Sequence, residues 1–173
     1  MTMARPATTT GDRLTFAQAA ESHLDDVYGY LLYLVRNHET AEDLAGATFE
    51  KALRLWPRFD SRRGGARTWL LGIARTTALD WFRAESRRRR REEAAAVPER
   101  VEESFVEGLS PALEQALLTL TAGEREVIAL RVVLELDGEA TARVLGLSPT
   151  AVSTRLSRAL KRLEEKVSEH DLC

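Results

Sequence analysis

The chain has 173 residues, of which 44% are hydrophobic and 30% charged, and its formal net charge is −2. These proportions allow a buried core in one ordinary domain or two small ones. Only five residues are proline, and Ala, Leu, Arg and Glu are abundant, which favours an all-helical protein. We expect no membrane span, since no run of about 18 residues is apolar. Residues 1–14 lack the apolar centre of a signal peptide and are predicted to be disordered.

No group of residues indicates catalysis or cofactor binding. The sequence contains no phosphate-binding loop, nucleophile elbow or zinc-protease motif. The one cysteine, Cys173, and the histidines His23, His38 and His170 are not spaced as metal ligands. A single cysteine also fits a reducing cytoplasm. The sequence therefore predicts a cytoplasmic protein that is not an enzyme and has no cofactor, metal or small-molecule substrate.

Charge is distributed unevenly along the chain. Residues 1–91 carry a net charge of +5, residues 92–139 a net charge of −9 and residues 140–166 a net charge of +4. Basic surfaces attract the phosphates of nucleic acids, whereas an acidic segment avoids them. The pattern indicates two parts that face nucleic acid, separated by an acidic spacer.

The first domain is predicted at residues 15–91, with helices at 15–35, 40–56 and 68–86. The first helix has an apolar stripe that includes Leu24 and Leu31. The second helix, opened by Thr40, has two adjoining apolar strips, so it is either deeply buried or forms an interface. Gly46 in its middle costs this helix up to about 1 kcal/mol relative to alanine.

A basic loop at residues 58–67 leads into the third helix. The loop contains four arginines and two glycines. Next to an aromatic residue such a loop is typical of single-strand binding, in which a base stacks on Trp69. The alternative is that Trp69 and Trp81 anchor the core, which we favour for Trp81. The five consecutive arginines at 87–91 are either a solvated end of the domain or a phosphate-binding strip.

An acidic linker and a second domain are predicted to follow. Residues 92–110 contain Pro98 and no sustained periodicity, which indicates irregular structure, and they would extend to roughly 60 Å. That length separates two domains by nearly two turns of DNA. The second domain is predicted at residues 111–168, with a tail at 169–173. In this domain Thr121 and Glu124 form a capping box at the start of a helix.

Residues 137–163 have the pattern of a helix-turn-helix. Asp137 caps a short helix, Gly146 ends it, and Ser148 with Pro149 begins a longer one. The apolar positions of the longer helix are predicted to face inward: Val152, Leu156, Ala159, Leu160 and Leu163. Its opposite face is polar and basic, as in a recognition helix that enters a major groove.

Three stretches, in this order, resemble extracytoplasmic-function (ECF, group 4) sigma factors of bacterial RNA polymerase. AEDLAGATFEKALRLW at 41–56 is similar to the helix that docks on the polymerase clamp. ARTWLLGIARTTALDWFR at 66–83 is similar to the helices that read and melt the −10 element. LTAGEREVIALR, with LGLSPTAVSTRLSRALKRL after it, resembles the −35-binding domain. The resemblance implies two small helical domains, a region 2-like bundle of three or four helices and a region 4-like helix-turn-helix domain.

The same resemblance implies the partners and the sites. The protein would bind core RNA polymerase at the β′ clamp and the β flap, together with duplex promoter DNA at −35 and single-stranded DNA at −10. An anti-sigma factor would control it at the nucleoid, or at the membrane where that factor is membrane-linked. The residues implied for core polymerase binding are Asp43, Leu44, Phe49 and Leu53. Those implied for the −10 element are Arg62, Arg63, Arg67, Trp69, Arg75, Thr76 and Arg83. Those implied for the −35 element are Ser148, Thr150, Ser153, Thr154, Arg155 and Arg158.

The chain departs from the family pattern at three places. The clamp helix usually reads D-L-x-Q-E-x-F, but here Gly46 and Ala47 replace Gln and Glu, which implies weaker or rearranged docking. Thr76 stands where many relatives have Asn, and its hydroxyl cannot pair with a base as an amide does, so an altered −10 preference is implied. Ser153 replaces a frequent basic residue, so other arginines should carry more of the −35 binding.

Two other functions remain open at this point. An autonomous helix-turn-helix regulator would dimerise on a two-fold symmetric site, although the linker and the aromatic helix argue against it. A degenerate sigma paralogue that serves only to bind an anti-sigma factor is motivated by Gly46 and Ala47.

Overall fold

The computed structural model describes residues 14–92 and 111–171; the predicted lead-in up to residue 13, the predicted linker beyond Glu92 and Cys173 lie outside these ranges. Within them the regular structure is helical, which confirms the predicted fold class. The helices are α1 (Phe16–Val35), α2 (His38–Leu55), α3 (Ala66–Glu92), α4 (Pro111–Leu118), α5 (Ala122–Ile128), α6 (Gly138–Leu145) and α7 (Pro149–Asp171). A 3₁₀ turn at Trp56–Arg58 follows α2, and a π-helical segment at Ala129–Val133 follows α5.

Local capping sets the ends of the first two helices. The Thr15 hydroxyl accepts a hydrogen bond from the backbone N–H of Gln18, whose side chain accepts one from the backbone N–H of Thr15. Arg36 ends α1 in the left-handed conformation, with φ 56°. The Asn37 side chain then accepts from the backbone N–H of Thr40 at 2.8 Å. Because Asn37 supplies the cap, α2 begins before Thr40, the residue predicted to open it.

The third helix is longer than predicted. It begins at Ala66 and continues past Ser86, the predicted end, through all five arginines to Glu92. The Glu85 carboxylate pairs with Arg88 at 3.0 Å and Arg89 at 3.2 Å, one turn further along the helix. Such pairs stabilise a helix, and no glycine or proline interrupts it after Gly72. The arginine run is therefore an extension of the helix.

The capping box of the second domain is confirmed, but its helix changes type. The backbone N–H of Thr121 donates to Glu124 at 2.8 Å, and the backbone N–H of Glu124 donates to the Thr121 hydroxyl at 3.3 Å. After Ile128 the backbone widens, and the N–H of Leu134 donates to the carbonyl of Ala129, five residues earlier, at 2.9 Å. The predicted uninterrupted α-helix is thus α5 followed by the π-helical segment.

The helices form two groups that also contact each other. α1, α2 and α3 pack around residues such as Leu31, Leu70 and Leu71, and the later helices pack around Leu130 and Val152. α3 additionally packs against α6, and α1 against the π-helical segment. The second group therefore lies directly on the first.

Two predicted inward positions are wrong. Leu24 is 50% exposed on α1 and Leu160 is 46% exposed on α7. Helical periodicity identifies the face on which a side chain lies, but it does not show whether another element covers that part of the face. Trp81, predicted as a core anchor, is half-buried and packs against the core.

Candidate nucleic-acid interface

The helix-turn-helix has the local geometry that its sequence predicts. The Asp137 carboxylate accepts from the backbone N–H of Ala140 at 2.7 Å, and Gly146 ends α6 with φ 65°. The Ser148 hydroxyl accepts from the backbone N–H of Ala151 at 3.1 Å and so caps α7. Most of the residues implied for the −35 element are exposed: Ser148, Thr150, Ser153, Thr154 and Arg158. The face is accessible to a major groove, and its contact with DNA stays a prediction.

Arg155 differs from the other −35 candidates because it is half-buried. Its guanidinium lies against the start of α5, where a Cβ added to Gly123 would be 3.0 Å from Arg155 Nη1. Burial raises the pKa of the nearby Glu124 carboxyl, but hydrogen bonds from Thr121 and the positive charges of Arg162 and Arg155 outweigh that effect and hold this pKa below its usual value. The positive charge of Arg155 therefore acts within the second domain, where it favours the ionised form of Glu124.

A cleft of about 520 Å³ lies between the basic loop, α2, α3 and the last turn of α6. Its size is that of ordinary ligand pockets. Four cationic side chains line it, together with one carboxylate, two aromatic rings and two threonines: Lys51, Arg58, Arg63, Arg143, Asp60, Phe59, Trp69, Thr68 and Thr76. Cations beside aromatic rings suit an unpaired base and its phosphate. The cleft brings together three of the residues implied for the −10 element, namely Arg63, Trp69 and Thr76.

An aromatic cluster fixes one wall of this cleft. Trp56 stacks on Phe59 with ring centroids 4.7 Å apart, and Trp69 meets Phe59 at 5.3 Å and Trp56 at 5.7 Å. Phe16 joins from α1, 5.6 Å from Trp56. Trp69 is consequently half-buried and held in place. It packs against the core on one side and lines the cleft on the other, and the stacking of a base on it stays a prediction.

Two arginines implied for the −10 element lie instead at the contact between the helix groups. Arg67 donates to both oxygens of Asp26 at 2.7 and 3.1 Å, and its Nη2 also donates to the backbone carbonyl of Leu134 at 2.7 Å. Arg75 Nε donates to Glu126 Oε1 at 2.7 Å. Both guanidiniums are therefore occupied by groups that include residues of the second domain.

Glu126 is the centre of this contact and is only 8% exposed. The fully buried Tyr30 hydroxyl donates to the same carboxylate oxygen at 3.0 Å. Burial and the negative charge of Glu126 raise the pKa of Tyr30 well above its usual value, although Arg75 lowers it. The phenol thus stays protonated and remains a donor, and Glu126 accepts from two elements of the first domain, α1 and α3.

The remaining −10 candidates lie elsewhere. Arg62 is exposed and forms a two-bond pair with Asp60, at 3.0 and 3.1 Å, which lowers the pKa of that carboxyl. Arg83 lies further along α3, paired with Asp80 at 3.1 Å. These two arginines do not line the cleft.

The side chains of the four residues implied for polymerase docking, all on α2, are buried to different extents. Asp43 is exposed and Leu53 is 56% exposed, Phe49 is half-buried, and Leu44 is only 7% exposed. Leu44 therefore packs in the core and holds the helix in place, whereas the exposed apolar side chain of Leu53 is accessible to a partner. Gly46 and Ala47 are exposed beside them, and no atom would lie within 4 Å of a Cβ added to Gly46.

Several residues of these sites were missed from the sequence: Asp26, Lys51, Glu126 and Arg143. No sequence pattern pairs Glu126 with Arg75 or Tyr30, which precede it by 51 and 96 positions. Lys51 and Arg143 are basic residues on helices that the prediction did not place beside the loop. In the described ranges no group of acidic, histidine and cysteine side chains is arranged to hold a metal ion. Among the described helices none is both long and apolar enough to cross a membrane.

Comparison with known proteins identifies two family regions in the chain. The sigma-70 region 2 family matches residues 19–88, and the sigma-70 region 4 family matches residues 104–163. The ECF RNA polymerase sigma factor BldN of Streptomyces coelicolor is 34% identical over 161 residues, which cover 88% of this chain and 60% of BldN. The ECF RNA polymerase sigma factor SigX of Bacillus subtilis is 30% identical over 165 residues, which cover 87% of this chain and 82% of SigX.

Solved structures share the fold. The sigma factor RpoE of Bartonella quintana, in complex with the anti-sigma factor NepR, has a TM-score of 0.74 at 24% identity over 88% of this chain and 96% of that chain. CnrH, in complex with the cytosolic domain of CnrY, has a TM-score of 0.66 at 24% identity, over 89% of this chain and 88% of that chain.

Proposed function

The chain belongs to the ECF sigma factors of the sigma-70 family, and from that premise we propose that it directs core RNA polymerase to specific promoters and promotes melting at −10. The observation that carries this proposal is the presence, in one chain, of an exposed helix-turn-helix and a basic cleft with aromatic walls. The first suits a duplex and the second suits an unpaired base. A regulator that only recognises duplex DNA needs no such cleft.

In the proposed mechanism the two regions act on different DNA. The α7 face, with Thr150, Ser153, Thr154 and Arg158, enters the −35 major groove. A base of the non-template strand leaves the stack at −10 and enters the cleft, where Arg63 and Lys51 meet its phosphates and Trp69 and Phe59 offer ring surface. Thr76 faces the base with a hydroxyl that bonds the carbonyl of Ile73 at 2.8 Å, which supports an altered −10 preference.

This mechanism requires the two helix groups to separate. In the described arrangement α3 packs against α6, so the cleft and the recognition helix cannot reach elements nearly two turns of DNA apart. Separation removes Arg143 from the cleft, whose other lining residues all belong to the first domain. It also frees Arg67 and Arg75 from Leu134 and Glu126 and makes them available to DNA. We therefore take the contact between the groups as the resting form, which opens when the protein assembles with core polymerase.

The proposed protein partners follow from the family and the exposed surfaces. Leu53 and Phe49, with Asp43 nearby, form the α2 surface for the β′ clamp, and the second domain would meet the β flap. The structural relatives RpoE and CnrH are recorded with NepR and CnrY, which supports an anti-sigma partner for this chain as well. Such a partner would hold the resting form in the cytoplasm, or at the membrane where it is itself membrane-linked.

The test is transcription with core enzyme. Run-off transcription with core polymerase, on genomic fragments and with mapped start sites, should give transcripts only when the protein is added. The aligned upstream sequences should share two elements. The proposal fails if the protein alone protects a two-fold symmetric site and core polymerase changes nothing, which indicates an autonomous regulator. It also fails if no template yields transcripts although an anti-sigma partner binds, which indicates an interaction module.

A further inference from the structure

The cleft beside Trp69 gathers positive charge in the resting form. Its cationic side chains outnumber its carboxylates by four to one: Lys51, Arg58, Arg63 and Arg143 against Asp60. The Asp60 carboxylate is itself bound by Arg62, which does not line the cleft. Among the ion pairs of the described ranges, none involves Arg58, Arg63 or Arg143. The cleft therefore has a surplus of three positive charges.

The second helix group supplies one of these cations. Arg143 lies in the last turn of α6, the helix that packs against α3. Its side chain reaches the basic loop, since a Cβ added to Gly64 would lie 3.6 Å from Arg143 Nε. All other described residues that line the cleft belong to the first domain. Closure thus brings a fourth cation beside three others, which repel it, and an anion in the cleft would convert this repulsion into attraction.

The aromatic rings limit the kind of anion that suits the cleft. Phe59 and Trp69 line it with ring centroids 5.3 Å apart, and base rings stack on such side chains whatever the base. Guanidiniums bind phosphates because their fork of donors matches two phosphate oxygens. A terminal phosphate carries a charge of about −1.5 to −2 at neutral pH, so two phosphates balance the surplus better than one does. A base joined to two phosphates, as in a nucleoside diphosphate, combines these features.

We propose that the resting form binds a nucleoside diphosphate in this cleft, with Arg143 on the phosphates and Phe59 and Trp69 beside the base. The ligand bridges the two helix groups. Because only the resting form offers Arg143, the ligand binds this form more tightly and shifts the equilibrium toward it. The ligand also excludes the −10 strand, which is proposed to use the same cleft. The inference rests on the proposed function for the resting form alone.

The first measurement is the affinity of the free full-length chain for ADP and GDP, by isothermal titration calorimetry. Adenosine has the base without the phosphates, and pyrophosphate has the phosphates without the base. Arg143→Gln removes the cation that the second helix group supplies. Lys161→Gln is the matched control, because it removes one exposed positive charge of the same domain outside the cleft.

ADP and GDP should bind with similar affinity, and roughly tenfold more tightly than pyrophosphate, because a stacked base adds about that factor. Adenosine should bind more weakly than either. Arg143→Gln should weaken ADP binding roughly tenfold, the loss expected for one hydrogen bond between charged groups, while Lys161→Gln should match the wild type. The inference is overturned if pyrophosphate binds as tightly as ADP, or if the two variants bind ADP equally well. Either result indicates a general attraction of phosphates to a basic surface.

The second measurement is the rate at which the protein assembles with core polymerase. ADP should slow assembly of the wild type, because it holds the resting form, and should slow assembly of Arg143→Gln less. Equal slowing of both proteins would show that ADP acts on polymerase and would overturn the bridging role. The two proposals fail separately. A free chain without saturable ADP binding overturns this inference and leaves run-off transcription as before, whereas a lack of transcripts despite intact ADP binding refutes the proposed function and not the nucleotide site.

Discussion

Replacement of Glu126 by glutamine should open the contact between the two helix groups. The carboxylate is 8% exposed and accepts from Arg75 at 2.7 Å and from Tyr30 at 3.0 Å. Glutamine keeps the shape and one acceptor oxygen but loses the charge. A hydrogen bond to a charged group contributes about 1.5–3 kcal/mol and a neutral one about 0.5–1.5 kcal/mol. Weakening both bonds should destabilise the closed form by about 2 kcal/mol, which shifts the closed-to-open ratio roughly 30-fold.

Energy transfer between two dyes measures this change. Ser22→Cys on α1 and Ser157→Cys on α7 offer exposed attachment points, with Cys173→Ser to remove the native thiol. In the free protein Glu126→Gln should give a longer and broader distance distribution than the parent.

Glu124→Gln is the matched control for this measurement. It lies on the same helix and is 7% exposed, but it bonds only Thr121 and Arg162 within its own domain. The reasoning is refuted if Glu126→Gln leaves the distance distribution unchanged in a folded protein, or if Glu124→Gln opens the contact equally. Exchange of the pair, Arg75→Glu with Glu126→Arg, should restore part of the closure.

Four further outcomes are expected. Gly46→Ala should stabilise the free protein by up to about 1 kcal/mol in thermal unfolding. Alanine favours a helix more than glycine does, and no atom lies within 4 Å of the added Cβ. An unchanged or lower thermal stability would contradict this. Gly46→Gln with Ala47→Glu should tighten core binding in competition with the wild type, and an unchanged affinity would show that docking does not use these positions. Folding lowers the pKa of Glu124, so the ionised carboxylate stabilises the folded protein. This contribution is fully present above the unfolded pKa of Glu124, about 4.3, and is lost as the pH falls through the lower folded pKa. Thermal stability should therefore drop more steeply below about pH 4.5 in the wild type than in Glu124→Gln, and parallel curves would contradict this. Arg155→Ala should weaken −35 binding by about 1–3 kcal/mol on the preferred sequence if Arg155 reads a base edge; equal losses on every −35 sequence would make it a phosphate contact.

Features set by neighbouring residues could be predicted from the sequence. The caps at Thr121, Asp137 and Ser148 depend on residues no more than three positions away, and all three are found. The left-handed Gly146 is equally local. For the same reason the helix-turn-helix and most of its exposed face were predicted correctly, with Arg155 and Leu160 as exceptions.

Features set by distant residues could not be predicted. Glu126 was part of an amphipathic helix in the sequence, and only folding brings it to Arg75 and Tyr30. Arg67 and Arg75 were predicted to be free to bind DNA because no carboxylate lies near them in the sequence. The sequence does not show which distant carboxylate will pair with each arginine in the folded chain. The end of α3 was misplaced because the like-charge run suggested a solvated end, whereas pairing with Glu85 continues the helix.

The closed form depends on the wide backbone turn of the π-helical segment at Ala129–Val133. Its wider turn holds one residue more than an α-helical turn, as the bond from Leu134 back to Ala129 shows. If the same residues continued α5 as an ordinary α-helix, everything after them would be rotated by roughly 100°, the turn of one residue. The Leu134 carbonyl would then no longer face Arg67, while the side chains of both domains stayed the same. Relatives in which these residues form an ordinary α-helix would thus rest closed less firmly, even with identical DNA-reading faces.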